Sequence, residues 1–253
     1  MPQVCASLAD TVAVVTGGAG GIGAAICRGL ADEGASVVVG YHRSPAPAEA
    51  LAAALGGRGR HCAVSAPVTD SAALARMART VADTYGRCDV LVNCAGTTRF
   101  VPHHDLDALD DTLIDDILST NVRGPFAAVR ALRPLLAQGA GALVVNISSI
   151  AATTGMGSNV MYCASKAALD SLTKSLARAL APGIRVLSIA PGLVDTPFIA
   201  GLDPAWRDEQ LARSPLGRLA HPADIAAAVV AACATLTFST GTVIAVDGGR
   251  PLV

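Results

Sequence analysis

The sequence predicts an α/β domain in which helices cover both faces of a parallel β-sheet. Short β-branched runs alternate with segments of helical length along the chain. These runs are continuously apolar, which is typical of strands that are buried on both faces of a parallel sheet. A glycine-rich turn follows the first run directly and leads into a helical pattern, as in the first unit of a doubly wound fold.

Seven segments are predicted to form strands, and the one near His61–Val64 has the weakest pattern. The other six are Thr11–Thr16, Ser36–Tyr41, Asp89–Asn93, Leu143–Ser148, Ile184–Ala190 and Val243–Val246. Clusters of proline and glycine are only a few residues long, so we expect residues 1–253 to form a single domain. The one long segment without a strand, Leu193–Pro215, is interpreted as a substrate loop, with a surface excursion of no function as the alternative.

The composition excludes several classes of function. Hydrophobic residues make up 52% of the chain, charged residues 15%, and the formal net charge is -1. This balance gives no excess of positive charge with which to bind nucleic acid or an anionic membrane, so we expect a small-molecule partner. The longest apolar stretch, Ala226–Ala234, is far shorter than the roughly 20 residues that a membrane-spanning helix needs. The N-terminal residues lack the pattern of a secretion signal and the 7 cysteines include no C-x-x-C pair, which predicts reduced thiols and a cytoplasmic location.

The turn after the first predicted strand has the composition of a phosphate-binding loop. Thr16–Gly23 satisfies both G-x-G-x-x-G and T-G-x-x-x-G-x-G. Glycine lets the backbone approach a pyrophosphate closely, and a helix N-terminus offers free N–H groups and the positive end of the helix dipole. The position after the first strand favours a dinucleotide site over a tight strand-to-helix connection. The predicted contact residues are Gly17, Gly20, Gly21, Ile22 and Gly23.

A tyrosine and a lysine are spaced for direct electrostatic coupling. Tyr162 and Lys166 open a predicted helix, and a spacing of four residues places both side chains on one helix face. A tyrosine ordinarily titrates near a pKa of about 10, and a neighbouring ammonium lowers that pKa by favouring the phenolate. The pair is therefore a candidate general acid or base, with a surface pair of no function as the alternative.

Further motifs follow the glycine-rich turn in a fixed order. They are Asn93–Gly96, Asn121, Ser149, Tyr162-x-x-x-Lys166, Pro191–Thr196 and Val246–Gly249. The ordered set resembles the classical short-chain dehydrogenase/reductase family over nearly the whole chain, and it looks closest to bacterial 3-oxoacyl-acyl-carrier-protein reductases. The resemblance implies a Rossmann-type fold and hydride transfer between a nicotinamide nucleotide and a carbonyl or secondary alcohol.

The resemblance also implies a catalytic tetrad of Asn121, Ser149, Tyr162 and Lys166. Tyr162 would exchange a proton with the substrate oxygen, and Ser149 would polarise that oxygen, with Ser148 as the alternative. Lys166 would lower the pKa of the tyrosine and hold the nicotinamide ribose. Asn121 would hold a water that passes protons toward the lysine, and a structural kink or cap in a helix is the alternative.

Other matching positions imply contacts to the nucleotide. They are Val68, Asn93, Ala95, Gly96, Pro191, Gly192, Val194 and Thr196, together with Tyr162 and Lys166. Two positions depart from the family pattern. Cys94 replaces the second asparagine of N-N-A-G, with little expected effect. Pro67 stands where the family often has an aspartate that contacts adenine, so either the adenine is held differently or Asp70 takes a share.

The end of the second predicted strand bears on the choice of nucleotide. NAD-specific sites place an acidic residue about 20 positions beyond the glycine turn, but no Asp or Glu lies between Ser36 and Ser44. Tyr41 takes that position, and Arg43 and Ser44 follow it. A guanidinium binds a 2′-phosphate through charge-assisted hydrogen bonds. NADP(H) is therefore the predicted cofactor, with NAD(H) and a merely solvated arginine as the alternative.

The sequence thus predicts an NADP(H)-dependent oxidoreductase that acts on a 3-oxoacyl thioester or another small ketone. The alternatives are an NAD-dependent alcohol or sugar dehydrogenase and a nucleotide-binding regulator without turnover. We predict no metal site, because the adjacent His103 and His104 project apart and the acidic run over residues 105–116 lacks the spacing of a calcium loop. The resemblance implies a homotetramer or homodimer that packs through helical segments 122–138 and 159–181, with Ala127, Ala128, Ala168 and Ala179 as small contact residues.

Overall fold

The structure is a computed structural model that describes residues 7–139, 141–196, 199 and 204–252. Its seven strands form one parallel sheet in the order β3-β2-β1-β4-β5-β6-β7. The strands are β1 Val12–Thr16, β2 Ser36–Tyr41, β3 Cys62–Ser65, β4 Val90–Asn93, β5 Ala142–Ile147, β6 Ile184–Pro191 and β7 Val243–Val246. The predicted strands are confirmed, because each observed boundary lies within one residue of its predicted position.

Helices connect the strands and follow them in the sequence. In the described part of the chain they are α1 Gly21–Asp32, α2 Pro45–Ala54, α3 Ser71–Tyr85, α4 Asp111–Leu118, α5 Gly124–Leu136, α6 Ala151–Thr154, α7 Val160–Leu180, α8 Pro204–Ala212 and α9 Pro222–Ala234. A π-helical segment, Ser119–Arg123, joins α4 to α5, and a 3-10 turn covers Arg250–Leu252. None of the helices described here is both long and apolar enough to cross a membrane.

The core has two halves, one on each face of the sheet. Alternate residues of β1 point to opposite faces, so Val15 packs with α1, α2 and α9, whereas Val14 packs with α3, α5 and α7. Ile26 and Leu30 of α1 are completely buried in the first half, as are Leu132 and Leu136 of α5 in the second. The predicted doubly wound fold is therefore confirmed.

The strand order reverses at β1, which is flanked by β2 on one side and β4 on the other. The helices that follow β1 and β4 therefore pack on opposite faces of the sheet, and a crevice opens at the carboxyl ends of these strands. This is where open α/β sheets bind their ligands. The glycine-rich turn and the turn that contains Ala95 and Gly96 border this crevice.

The segment Leu193–Pro215 leaves the sheet after β6, as predicted, and it contains α8. Its start is fixed by an isolated parallel bridge between Val194 and Ala220. Pro197 and Phe198 lie outside the described residues.

Two of the small residues that we expected on a contact surface lie inside the domain instead. Ala127 is 3% exposed and Ala128 is fully buried, and both belong to the core beneath α5. Ala168 is half-buried and Ala179 exposed. The periodicity of α5 turns its alanines toward the sheet and leaves Phe126, 42% exposed, on its outer face. The expectation for Ala127 and Ala128 is therefore wrong.

Candidate active site

The glycine-rich turn depends on close backbone packing. Gly17 has a φ of 64°, and a Cβ there would lie 2.9 Å from the Cα and N atoms of Ala95. A Cβ at Gly23 would collide with the main-chain oxygen of Gly17. A larger residue at Gly17 would force apart the turns after β1 and β4, and one at Gly23 would distort the turn after β1 itself.

The N-terminus of α1 has the form of an anion site. Gly20 is the N-cap and supplies no side-chain cap, and both Gly20 and Gly21 are exposed. The first N–H groups of a helix have no partner within the helix. Because no side chain caps them, the N–H groups at Gly21–Gly23 fit a nucleotide phosphate.

Thr16 joins the two turns that border the crevice. Its Oγ1 accepts hydrogen bonds from the N–H groups of Cys94, at 3.2 Å, and Ala95, at 3.3 Å. Gly96 faces the predicted tetrad, because a Cβ on it would lie 3.4 Å from Oδ1 of Asn121 and 3.8 Å from Nζ of Lys166. The turn after β4 therefore lies directly beside the lysine.

The side chain of Asn93 points into the domain and away from the crevice. Asn93 is 2% exposed, and its Nδ2 donates to Oδ1 of Asn146 at 2.8 Å. Asn146 donates in turn to Thr173, whose hydroxyl is 2.8 Å from that of Ser188. This buried polar chain links β4, β5, α7 and β6, and sequence reasoning missed it because the four residues share no spacing pattern.

Tyr162 and Lys166 lie together near the start of α7, as their spacing predicts. Nζ of Lys166 is 5.7 Å from the centroid of the tyrosine ring. Lys166 is only 6% exposed, and its Nζ donates to the main-chain oxygen of Ile147 at 2.8 Å. The lysine is thus held between α7 and the end of β5.

The two candidate serines at the end of β5 point in different directions. The side chain of Ser149 interacts with that of Tyr162 and acts to lower its pKa. Ser148 is 3% exposed, and its hydroxyl donates to the main-chain oxygen of Lys166 at 3.4 Å. Of the two serines, Ser149 is therefore the one that lies beside the tyrosine.

Burial dominates the protonation of the pair. It lowers the pKa of Lys166 to about 8, against smaller opposing effects of Cys94 and Asp170. Burial also raises the pKa of Tyr162, while the side chain of Ser149 opposes that rise. The pKa of Tyr162 is therefore raised, opposite to the direction expected from a neighbouring ammonium, because removal from water is the largest effect on it.

Asn121 occupies the π-helical segment and is 1% exposed. Its Oδ1 accepts from Thr97 N at 2.8 Å, and its Nδ2 donates to Thr97 O at 3.0 Å and to Ser165 Oγ at 3.1 Å. π-helical turns commonly occur at functional sites. Asn121 thus links the turn after β4 to α7. It also lies in a helix irregularity, which was the alternative interpretation of this residue.

The end of β2 presents groups that can meet a phosphate. Tyr41 is half-buried, and Arg43 and Ser44 are exposed. Ser44 is the N-cap of α2, but its side chain makes no capping hydrogen bond. The guanidinium of Arg43 makes no hydrogen bond or ion pair with the residues that the structure describes.

The turn after β6 closes the crevice on the other side. Gly192 lies against the segment after β7, since a Cβ on it would be 3.0 Å from Cα and O of Asp247. Pro191 ends β6, Val194 is 6% exposed, and Thr196 is half-buried. These positions border the end of the sheet where a nicotinamide ring would lie.

The adenine side of the crevice differs from the family pattern. Val68 is 6% exposed and packs against Gly124, where a Cβ would come within 2.8 Å of its side chain. Oδ1 of Asp70 accepts from the N–H groups of Ala72, at 2.8 Å, and Ala73, at 3.1 Å. Asp70 therefore caps α3 through Oδ1, while its Oδ2 lies 3.8 Å from the Arg76 guanidinium.

Large apolar side chains are partly exposed in the loop after β4, in the segment after α6 and in α8. The rings of Phe100 and Trp206 meet edge to face with their centroids 6.0 Å apart. Phe100 is 43% exposed and Met156 is 51% exposed. The ring contact joins the loop after β4 to α8.

The comparisons with known proteins agree with this geometry. A family model described as Enoyl-(Acyl carrier protein) reductase matches residues 17–250. The chain is 40% identical over 251 residues to cis-4-hydroxycyclohexanecarboxylate dehydrogenase of Sinomonas cyclohexanicum, covering 98% of this chain and 99% of that protein. It is 35% identical over 250 residues to 3-oxoacyl-[acyl-carrier-protein] reductase FabG of Vibrio harveyi, covering 98% and 100%.

A solved structure, the RhlG/NADP active-site complex of Pseudomonas aeruginosa, superimposes with a TM-score of 0.89 at 33% identity and covers 96% of this chain and 97% of that one. The fold, the crevice and these relatives lead to one conclusion. The chain belongs to the short-chain dehydrogenase/reductase family and is an NAD(P)-dependent oxidoreductase.

Proposed function

We propose that the protein transfers hydride between NADP(H) and a carbonyl or secondary alcohol, with Tyr162 as the general acid/base. The observation that carries this proposal is the surroundings of Tyr162. Its ring lies 5.7 Å from the buried Lys166 ammonium, and the side chain of Ser149 acts to lower its pKa. A tyrosine with a hydroxyl partner and a cation beside it is equipped to exchange a proton with a substrate oxygen.

The nucleotide, when bound, supplies or accepts the hydride. We assign its phosphates to the uncapped N-terminus of α1, where the glycines leave room for close approach. Lys166 is the residue to hold the nicotinamide ribose, and Val194 and Thr196 are those to hold the carboxamide. Gly96 lies between Asn121 and Lys166, so we place the same ribose against this turn.

During reduction, the Tyr162 hydroxyl donates its proton to the substrate oxygen as the carbon accepts hydride. The Ser149 hydroxyl donates a hydrogen bond to the same oxygen and so stabilises the charge that develops there. The Lys166 ammonium then stabilises the phenolate that the proton transfer leaves on Tyr162. During oxidation, the phenolate accepts the proton of the alcohol.

NADP(H) is the proposed cofactor because of the end of β2. Arg43 is exposed with a free guanidinium in the described structure, and Ser44 keeps its hydroxyl available at the N-terminus of α2. Both groups suit a 2′-phosphate, and no carboxylate between Ser36 and Ser44 repels it.

Small ketones, 3-oxoacyl thioesters among them, are the proposed substrates. The partly exposed side chains of Phe100, Met156 and Trp206 are the proposed wall of the substrate site, and they favour a carbonyl compound with an apolar body. The relatives named above act on a cyclic hydroxy acid and on an acyl chain carried by a protein, to judge by their names. Residues 193–215 are the proposed substrate loop. We also propose a cytoplasmic homotetramer or homodimer.

The test is an assay of NADPH and NADH oxidation against a panel of ketones, aldehydes and 3-oxoacyl thioesters, with calorimetric binding of both nucleotides in parallel. We expect oxidation of NADPH with at least one carbonyl compound. If a nucleotide binds but no member of the panel is reduced, and no alcohol is oxidised in the reverse assay, the proposed reaction is wrong.

A further inference from the structure

A completely buried asparagine lies three residues before Tyr162. Asn159 has an exposure of 0% and is the N-cap of α7. Its Oδ1 accepts a hydrogen bond from the N–H group of Tyr162 at 2.7 Å. The first N–H groups of a helix lack partners within the helix, so this cap fixes the turn that carries the tyrosine.

The other end of the same amide is bonded to a different part of the chain. Nδ2 of Asn159 donates to the main-chain oxygen of Arg99 at 2.8 Å and to Oγ1 of Thr98 at 3.2 Å. These residues follow β4, about 60 positions earlier in the sequence. One side chain therefore joins the loop after β4 to the start of α7.

The residues next to Asn159 repeat this connection. The main-chain oxygen of Ser158 accepts from Val101 N at 2.9 Å, and the hydroxyls of Ser158 and Thr98 are hydrogen-bonded to each other. Nε2 of His103 lies 3.1 Å from the main-chain oxygen of Gly157. The segments 98–103 and 157–159 are thus bonded to each other at several points.

Gly157 brings this assembly against the tyrosine ring. A Cβ on Gly157 would lie 3.0 Å from Cδ1 of Tyr162 and 2.9 Å from Sγ of Cys163. Tyr162 is therefore held both through its backbone, by Asn159, and through its ring, by the main chain of Gly157.

We propose that Asn159 is a positioning residue for the reaction, which sets the location of Tyr162 by capping α7 and anchoring that cap to residues 98–99. The proposal rests on the role of Tyr162 proposed above. Proton transfer requires the donor and acceptor atoms to come within hydrogen-bonding distance of about 2.6–3.2 Å. A displacement of the donor by about 1 Å is enough to slow a reaction about a hundredfold. An uncapped first turn that has also lost its anchor permits such a displacement.

The experiment compares Asn159→Ala with His221→Ala. His221 is the N-cap of α9, where its Nδ1 accepts from Ala223 N at 3.2 Å, and α9 lies on the other face of the sheet from α7. Both variants lose one helix cap, so both are expected to lower the melting temperature. Only Asn159→Ala is expected to lower kcat, by about tenfold or more, with the Kd of NADPH unchanged.

Two further variants separate positioning from stability. Asn159→Asp keeps an acceptor for Tyr162 N but loses both amide donors, so its kcat is expected to lie between those of wild type and Asn159→Ala. In a Tyr162→Phe background, Asn159→Ala is expected to leave the residual rate unchanged, because an effect that acts through the tyrosine hydroxyl disappears with it.

The outcomes distinguish this inference from the proposed function. A kcat of Asn159→Ala within about twofold of wild type would overturn the positioning role, since about tenfold or more is expected. If the alanine variant does not fold, Asn159→Asp decides, and a wild-type kcat in that variant would overturn the role of the anchor. A highly active Tyr162→Phe variant would instead overturn the proposed function itself.

Discussion

The side chain of Ser149 lies beside that of Tyr162 and opposes the rise of the tyrosine pKa, although Ser148 precedes it directly in the chain. Ser148 bonds instead to the main-chain oxygen of Lys166. Adjacent side chains at the end of a strand point to opposite sides, so only one of two consecutive serines can face the crevice.

This relationship gives a matched pair of variants. Ser149→Ala is expected to lower kcat for reduction by about a hundredfold, a typical loss for the removal of one hydrogen-bond donor to a developing oxyanion. Ser148→Ala removes the same atom one residue away and is expected to leave kcat nearly unchanged. Steady-state rates of the two variants with one ketone decide between the two serines. A larger loss of kcat in Ser148→Ala than in Ser149→Ala would assign the role to Ser148 instead.

Tyr162→Phe is expected to abolish turnover while the Kd of the nucleotide stays nearly intact, because only the proton donor is removed. General acid–base catalysis contributes about 10²–10⁴-fold to a rate. Turnover and calorimetric binding are measured on the same preparation. A phenylalanine variant that retains more than about a tenth of the wild-type rate would contradict the role of the tyrosine.

Lys166 is expected to give the reduction a characteristic dependence on pH. Burial disfavours the ammonium and lowers its pKa to about 8, so the lysine is charged below that pH and neutral above it. Because the charged form stabilises the Tyr162 phenolate, kcat/KM is expected to fall as the pH rises through about 8. Lys166→Ala is expected to lose this titration, raise the KM of the cofactor and lower kcat.

The pH profile and the two kinetic parameters check separate parts of that expectation. A profile that is flat through this range in the wild type would show that the charge of the lysine does not limit the reaction. A purely kcat effect of Lys166→Ala, with nucleotide binding unchanged by calorimetry, would show that the lysine does not contact the ribose.

Arg43 is expected to set a preference for NADPH over NADH of at least about tenfold in kcat/KM. This preference equals about 1.4 kcal/mol, which one or two hydrogen bonds to a phosphate can supply. Arg43→Ala is expected to remove most of this preference. Arg58→Ala deletes an equally exposed arginine after α2 and serves as the control for net charge. Equal or better use of NADH by the wild type, at fixed ionic strength, would refute the prediction.

Light scattering is expected to show a multiple of the 25.3 kDa chain mass, as a dimer or tetramer requires. The exposed Phe126 on α5 is the side chain to change, because the neighbouring alanines are buried in the core. Phe126→Glu is expected to shift the protein toward smaller species, since a charge in an apolar contact is costly. A monomer at micromolar concentration in the wild type would dispose of the proposed assembly.

The sequence by itself determined the sheet, the glycine-rich turn and the pairing of Tyr162 with Lys166. These features are local: a buried strand shows as an apolar run, a turn that needs a positive φ shows as glycine, and two residues four apart share a helix face. Each can be recognised in a short window of sequence without knowledge of the rest of the chain.

The tertiary structure decided which side chains meet and which are removed from water. It places Asn93 in a buried chain of hydrogen-bonded polar side chains. It also bonds the Asn121 side chain to Thr97 and Ser165, and the Asn159 side chain to Thr98 and Arg99. It also set the direction of the Tyr162 pKa, because burial outweighed the opposing effect of Ser149. Such contacts join residues far apart in the chain, and desolvation depends on everything packed around a group, so neither can be derived from spacing alone.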